Sequence, residues 1–452
     1  MKSLFKAVAA LIGGMLATLA VGSYQSFGNM APYTVSYIRA HGRPSDLTYM
    51  KYQSVYILTL TAETPFMILG GFLDKHLSLR CMVTLACFNL ILGYFVTAFC
   101  LNVHFLLVGL TCGIVGGCSI GLTFNCIGLN AAQWFPTHSA TASAISTLGI
   151  ALGPLVFSPI QTFLINPNNL LANLSQHNGA EVYFGQEEVI SRVPSSYIIV
   201  AIILAIFSIC GISMLYDHQK ESLLDELSMS ETMSEPLMPK EPAEDLPSES
   251  SVDTRCDTLI IISSKTFWLL STWAFFVNQY PLFMMMNFKT YGETFMHDDS
   301  ALTYIGSTSS ISGALGRVFF GFLLDRTSFK FTSFWLALSQ VISMLLIGLS
   351  LFHQLMFVYA VLVHVAVANL NGAVIVIQNM TWRVFGETNK GLSVGLVNIA
   401  YSCSVVTCGI VGAQVIQFWS WAGVFLTFSV SPILAFLTVL FTDTREDIKG
   451  PM

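Results

Sequence analysis

Long apolar runs, interrupted at near-regular intervals by short polar or glycine-rich stretches, extend from one end of the chain to the other. A helix needs about 20 apolar residues to cross the ~30 Å hydrocarbon layer of a bilayer. That criterion predicts helices at 7–29, 52–73, 81–101, 104–128, 140–163 and 196–215, then at 266–288, 301–324, 332–352, 355–379, 391–415 and 421–441. The pattern therefore reads as an all-α integral membrane protein of twelve helices. Residues 1–215 form one six-helix bundle, 266–452 form a second, and 216–265 separate them.

The two sets are copies. GGFLDKHLSLR at Gly70–Arg80 returns as GFLLDRTSFK at Gly321–Lys330, 251 positions later, and WFPTHSATASAISTLG from Trp134 aligns with VFGETNKGLSVGLVNI from Val384 at a shift of 250. Two unrelated landmarks with nearly one offset indicate an internal duplication. Pseudo-symmetric repeats of hydrophobic helices are the architecture of secondary transporters, which bind substrate between the repeats near the membrane midplane.

Composition agrees, since only 10% of the residues are charged and the mean hydropathy is +0.67. Too little polar surface is available to coat a soluble globule of 452 residues. With a cytoplasmic N-terminus, the inner loops and ends carry fourteen of the twenty Lys and Arg residues and the outer ones five, with Arg317 inside a helix. Short cytoplasmic loops retain positive charge, so both termini are expected in the cytoplasm, the host being the plasma membrane or an endomembrane. The first helix is too long for a cleaved signal peptide. None of the ten cysteines falls in an outer loop, which argues against a disulfide framework. The longest outer loop, 164–195, contains the sequon Asn173-Leu174-Ser175, a candidate glycosylation site. Residues 216–258 hold twelve acids against three bases and read as a solvated tether whose serines are open to phosphorylation. That stretch contributes −9 of the overall −6, so the net acidity says nothing about a transport path.

The duplicated G-x-x-x-D-[RK] loop, between helices 2 and 3 and again between 8 and 9, resembles the signature loop of the major facilitator superfamily. Its glycines let helices close together, while a carboxylate and bases at the cytoplasmic mouth can pair with helix ends. Gly70, Asp74, Lys75 and Arg80, with Gly321, Asp325, Arg326 and Lys330, are thus expected to latch one conformation rather than to touch substrate. Leu77 and Ser328 replace the usual glycine of that loop. AAQWFPTHSATASAISTLGIALGPLVFSPIQTFLINPN, FGETNKGLSVGL, GNMAPYTVSYIR and GRVFFGFLLD are similar to the oxalate:formate antiporter and monocarboxylate transporter branches of that superfamily. The resemblance covers nearly all of the chain except the acidic tether.

A charge at the hydrocarbon centre costs at least ~2.5–3.5 kcal/mol on insertion scales, so each needs a partner, a watery cavity or a function. Arg317 shares a face of helix 8 with Ser310, Gly313 and Gly321 and stands about 12 Å from Asp325 at 1.5 Å per residue. In the family this chain resembles, the corresponding arginine binds the substrate carboxylate, a task suited to a permanently charged bidentate fork. A structural arginine paired with helix ends is the competing reading. Relatives of the oxalate type carry a second basic residue on helix 11, where 391–415 has none, and the monocarboxylate type has a lysine on helix 1 and an aspartate where Gly313 stands.

Two further groups are candidates for proton coupling. Glu63 lies mid-helix beside Pro65 on one face with Tyr56 and Thr59, and a carboxyl removed from water can exchange protons. His364 on helix 10 is followed at seven-residue steps by Asn371 and Gln378. Helices 1 and 7 occupy matching places in the repeat and offer Tyr24, Gln25 and Asn29 against Asn278, Gln279 and Tyr280 before Pro281, while helix 11 adds Asn398 and Tyr401. Aromatic and amide groups can cage a small polar solute, although aromatic residues in a bundle are equally packing.

These residues predict a carrier that moves a small monocarboxylate-type anion by proton-linked symport or exchange. The alternatives are a carrier of another small polar metabolite, such as an amino acid, and a non-transporting membrane sensor. No metal spacing or phosphate-cradling loop is present, so neither an enzyme, a cofactor nor a nucleic-acid partner is expected.

Overall fold

The computed structural model describes residues 2–74, 76–175, 182–222, 254–292, 295, 299–353, 356–385 and 390–441. Numbered as membrane spans, the helices are α1 (Leu4–His41), α2 (Lys51–Leu73), α3 (Leu79–Cys100), α4 (Phe105–Trp134), α5 (Pro136–Ile165) and α6 (Val193–Met214). The second half supplies α7 (Lys265–Gly292), α8 (Asp299–Arg326), α9 (Phe329–His353), α10 (Met356–Phe385), α11 (Lys390–Val411) and α12 (Gly423–Leu440). Among the described residues, ten spans meet both the length and the apolarity needed for a bilayer. The other two, α7 and α8, have 28 residues each, about 42 Å at 1.5 Å per residue, and are more polar.

Local chemistry sets several boundaries. Thr48 accepts a hydrogen bond from Lys51 N at 3.2 Å to start α2, Ser78 accepts from Cys81 N at 3.4 Å to start α3, and His104 Nδ1 accepts from Leu106 N at 3.1 Å to start α4. Three spans are irregular. A 3-10 turn at Ser23–Ser26 interrupts α1, a π-turn at Gly109–Ile114 interrupts α4, and α5 breaks at Thr147 between Ser139–Ser146 and Leu148–Ile165.

The first helix runs well past its expected end at residue 29, which carries Arg39 up to the last turn before His41 rather than into a loop. Residues expected as one loop, 164–195, include a two-stranded antiparallel ladder pairing Leu174 with Tyr183 and Ser175 with Val182, followed by a short helix at Glu187–Ile190. Two helices expected as separate, α11 and α12, belong to one helical run, Lys390–Leu440. The run nevertheless reverses. Moving up α7, Ser404 donates to Phe275 O and Cys408 to Gln279 O, whereas Phe283 stacks on Phe428 and the Tyr291 ring meets that of Trp421 at a tilt. Ascending partners followed by descending ones mark a helical hairpin.

The expected tether also begins as ordered structure. Asn130 donates to Tyr216 O and accepts from His218 N, Trp134 Nε1 donates to Tyr216 O, and Lys6 pairs with Glu221. A helix at Thr254–Ser263 precedes α7. Residues 223–253, with most of the acidic stretch, lie outside the described residues, as does Lys75.

Polarity is distributed for lipid. Leu85, Phe88, Leu92, Phe95 and Phe99 form an exposed stripe on α3, and Ile199, Ile202, Ile206 and Ile209 do so on α6, while Thr18, Asn125, Gln161, Asn278 and Asn369 are buried. Without water between helices, association rests on close packing and interhelical hydrogen bonds. Small residues provide it: a Cβ on Gly153 of α5 would lie 2.0 Å from Gly22 O of α1, and one on Gly121 of α4 would lie 2.4 Å from Glu63 O of α2. Such contacts involve backbone, which cannot move aside. Gly153→Val is therefore expected to cost at least the ~1–3 kcal/mol typical of overpacking, read as a lowered or absent thermal transition in detergent. Gly28→Ala, at a position with no atom within 4 Å of the added carbon, should melt like wild type.

Candidate functional site

Two interfaces join the bundles, α2 against α11 and α5 against α8, and glycines set their spacing. Gly71 of α2 faces Gly391 and Leu392 of α11, where an added Cβ would lie 2.3 Å from Leu392 N. Gly321 of α8 faces Ala140 and Ala144 of α5. Asn125 of α4 donates to Gly391 O at 2.9 Å, and Ser143 of α5 donates to Gln378 of α10 at 3.3 Å. The bundles are thus in contact through backbone and amides at the end that carries Asp74 and Asp325, the latch end. The strands at 174–175 and 182–183 mark the opposite, loop end.

Above this seal the bundles separate around a cavity of about 70 Å³. Its polar wall consists of Tyr24 and Gln25 from α1, Tyr56 and Glu63 from α2, Arg317 from α8, Asn371 from α10, and Asn398 and Tyr401 from α11. Its apolar wall includes Leu60, Ile120, Phe124, Ile150, Leu282, Met285, Met286, Leu370 and Val374. Arg317 and Glu63, the expected cation and the expected carboxyl, come from opposite bundles to the same chamber.

Arg317 is 3% exposed. Its Nη1 donates to Thr147 O at 2.9 Å, its Nη2 donates to Asn371 Oδ1 at 2.9 Å, its charge lies 5.6 Å from the centre of the Phe124 ring, and Nε has no partner. No carboxylate lies within 4.0 Å of it among the described residues. Thr147 is the residue at which α5 breaks, with φ −98° and ψ 5°. The break turns its carbonyl toward the other bundle. Gly313 has a related purpose: a Cβ there would come 2.7 Å from Asn371 Nδ2, so the missing side chain lets the amide reach the guanidinium.

Other expected pocket residues lie elsewhere. Asn29 is spent inside the N-terminal bundle, donating to Ser158 O at 3.1 Å and Gln161 Oε1 at 3.2 Å. The polar triplet of α7 faces away from the cavity. Asn278 donates to its own helix at Ala274 O, Gln279 accepts from Cys408 Sγ at 3.1 Å, and Tyr280 is wholly buried in the apolar core. Leu282, Met285 and Met286 line the cavity from that helix instead. The matching triplet on α1 keeps Tyr24 and Gln25 at the cavity because its 3-10 turn rotates them, whereas α7 is helical through Pro281. His364 does not border the cavity: its Nδ1 lies 2.7 Å from Ala360 O and its Nε2 lies 3.1 Å from Thr308 Oγ1, tying α10 to α8. Gln378 belongs to the latch-end seal.

The duplicated loops do unequal work. Asp325 accepts from Ala140 N at 3.0 Å, Thr141 N at 2.7 Å and Thr141 Oγ1 at 2.7 Å across the bundle interface, and pairs with Arg383 at 3.2 Å. A carboxylate at a helix N-terminus satisfies orphan amides and complements the dipole. Asp74 has no such bonds among the described residues, and burial with the nearby Asp217 pushes its carboxyl above the usual range. Arg80 turns to its own bundle, donating to Leu215 O at 2.6 Å and covering Tyr216. Arg326 lies over the Phe322 ring at 4.5 Å, and Lys330 has no acid partner among the described residues. Gly70 is not at a tight contact; its neighbour Gly71 is. Sequence reading missed Arg383, Thr141 and Thr147. Arg383 was visible as a lone base ending helix 10, but a backbone carbonyl at Thr147 has no side-chain signal.

Two six-helix bundles, sealed at one end and parted around a shared polar chamber, define a membrane carrier rather than an enzyme. The chain belongs to the Major Facilitator Superfamily, whose family model matches residues 15–376 and 268–451, and it is a secondary transporter of that superfamily. It is 23% identical over 373 residues to apicoplast pyruvate carrier 1 of Toxoplasma gondii, covering 72% of this chain and 68% of the relative. Apicoplast pyruvate carrier 2 of the same organism is 21% identical over 265 residues, 51% of this chain and 41% of the relative. Among solved structures, the E. coli fucose:proton symporter superposes with a TM-score of 0.62 at 14% identity, covering 96% of this chain and 98% of that one. The proton:xylose symporter XylE does so with 0.63 at 11%, covering 97% and 95%.

The unequal loops yield a contrast. Asp325→Asn should lower the detergent melting midpoint, since a buried acceptor of several cross-bundle bonds is lost at roughly 1–3 kcal/mol. Asp74→Asn should match or exceed wild type at pH 8. Because its carboxyl is shifted upward, its charge burdens the fold above that range and is relieved as pH falls, so the difference from wild type should shrink in acid.

Proposed function

We propose that this carrier moves a short monocarboxylate together with a proton, by alternating access around the Arg317–Glu63 chamber. The observation that carries the reading is a buried guanidinium whose hydrogen bonds, among the described residues, go only to neutral dipoles, facing across the cavity the one carboxyl that lines it. With Glu63 protonated the chamber holds one positive charge, and a monoanion neutralises it. With Glu63 ionised the same anion would leave a net negative charge in a medium that penalises it. Anion and proton therefore travel as a pair. Leu282, Met285 and Met286 suit a short apolar tail and offer nothing to a second carboxylate. The printed name of the Toxoplasma gondii relative, a pyruvate carrier, agrees with this chemistry.

One observation favours a second reading. A zwitterion could place its carboxylate on Arg317 and its ammonium on an ionised Glu63, and the chamber would again be neutral. For orientation we adopt the charge distribution of the loops: latch end and termini in the cytoplasm, and the exposed Asn173 on the opposite side, where its sequon can be glycosylated.

Both readings are separated by uptake into proteoliposomes of labelled pyruvate, lactate, formate and alanine, with and without an inward proton gradient. Arg317→Ala should cut monocarboxylate uptake by roughly 30-fold or more, matching a loss of about 2 kcal/mol or more for a truncated buried charge contact. Glu63→Gln should abolish the stimulation by the gradient while keeping monocarboxylate exchange, because the amide mimics the neutral carboxyl. Monocarboxylate uptake unchanged in Arg317→Ala would overturn the proposal. Alanine uptake lost in Glu63→Gln, with monocarboxylates inert, would replace it with the zwitterion reading.

A further inference from the structure

A second cavity lies inside the N-terminal bundle, toward the loop end, and shares the Tyr24 wall with the first. Its volume of about 30 Å³ accommodates about two water molecules at ~10–15 Å³ each. Tyr24, Tyr52, Thr59, Tyr94, Thr111 and Tyr197 border it together with the apolar Phe27, Met30 and Leu90. Tyr197 is hydrogen-bonded to Thr34 at 3.0 Å, and the Tyr52 hydroxyl lies nearby.

Two departures from α-helical backbone border this chamber. The 3-10 turn of α1 contributes Tyr24 and Ser26, and the π-turn of α4 contributes Thr111 and Cys112. Irregular backbone at membrane depth is tolerated where it lines a watery cavity, and π-turns recur at functional sites. On the same α1 turn, Ser23 is fully buried and lies beside the hydroxyl of Tyr94, a residue that borders the chamber.

Thr59 borders the chamber one helical turn from Glu63. Thr59 and Tyr56 precede it on α2 by four and seven residues, on one face. The Tyr24 and Tyr56 rings stack at 5.9 Å, and both groups feel the charge of Glu63. The remaining titratable groups facing Glu63 are Arg317 from α8 and Tyr401 from α11.

We propose that this tyrosine-lined chamber is a hydrated proton-access site that connects the loop end to Glu63 through the N-terminal bundle, apart from the cleft between bundles that admits substrate. The inference rests on the reading of Glu63 as the proton carrier. A proton arriving as hydronium passes to a hydroxyl oxygen, which releases its own proton to the next oxygen, until the Glu63 carboxylate takes one up. No tyrosine is left charged, and water is returned at the entrance. The separation lets the carrier charge its carboxyl while substrate fills the central cavity.

The test compares gradient-driven net uptake of labelled pyruvate with pyruvate exchange at equal pH, using the full chain in proteoliposomes. Two variants probe the chamber. Gly116→Leu fills it, since a Cβ there meets only Thr59 at 3.3 Å, and Tyr94→Phe removes one hydroxyl at nearly constant volume. Each should reduce net uptake by roughly tenfold or more, as loss of a proton relay does, while exchange stays near wild type. Should Gly116→Leu fail to fold, Tyr94→Phe decides alone. Wild-type rates in both modes, or an equal fall of both modes in Tyr94→Phe, would sink the chamber. Wild type lacking any response to the gradient would instead sink the proton-coupled reading on which it rests.

Discussion

A guanidinium buried in the membrane without a carboxylate at ion-pair distance is the constraint around which this molecule is arranged. Its desolvation must be offset by dipoles, and the fold provides two, a carbonyl freed by the break in α5 and an amide admitted by the absence of a side chain at Gly313. Neither is an anion. Among the described residues the charge is therefore left without an ion pair where the bundles part, with Glu63 across the chamber and Nε without a hydrogen-bond partner. Because Thr147 belongs to one bundle and Arg317 to the other, the same hydrogen bond that eases the burial also ties the halves together.

The seal below that point depends on backbone proximity more than on charge. Gly71 against Gly391, and Gly321 against Ala140, bring main chains so close that no side chain fits between them. Asp325 then caps the first helix of α5 across the interface. Its duplicate Asp74, which sits beside Asp217, does not reproduce this in the described residues. Duplication has preserved the sequence of the loop but not its bonding, and the C-terminal copy bears the cross-bundle contact with help from Arg383, whose counterpart at the repeat offset is Gln133.

Architecture was highly legible in the chain. Length and apolarity located the spans, and the repeat offset paired the halves, because both signals survive in residue identity. Arg317, Glu63, Tyr24, Gln25, Asn371, Asn398 and Tyr401 could be singled out since polar groups in an apolar stretch are conspicuous, and all seven meet at one cavity. Rotation about each helix axis was not legible. Asn278, Gln279 and Tyr280 match the α1 triplet in composition, yet a 3-10 turn present in α1 and absent from α7 points the two sets differently. His364 failed for a similar reason, since a helical face defined by seven-residue steps drifts, and its ring finds Thr308 instead of the chamber. Thr147 could not be found at all, because its contribution is a carbonyl that every residue possesses.

The clasp between Lys6 and Glu221 has a topological consequence. It brings the first turn of the N-terminal half beside the segment that leaves it, with Asn130 and Trp134 holding that exit in place. The half is thereby a closed ring of six helices whose two ends are neighbours in space. The chain therefore leaves this half beside the place where it entered, on the same side as Arg80, which donates to Leu215 O, so the connection to α7 sets out from the latch end.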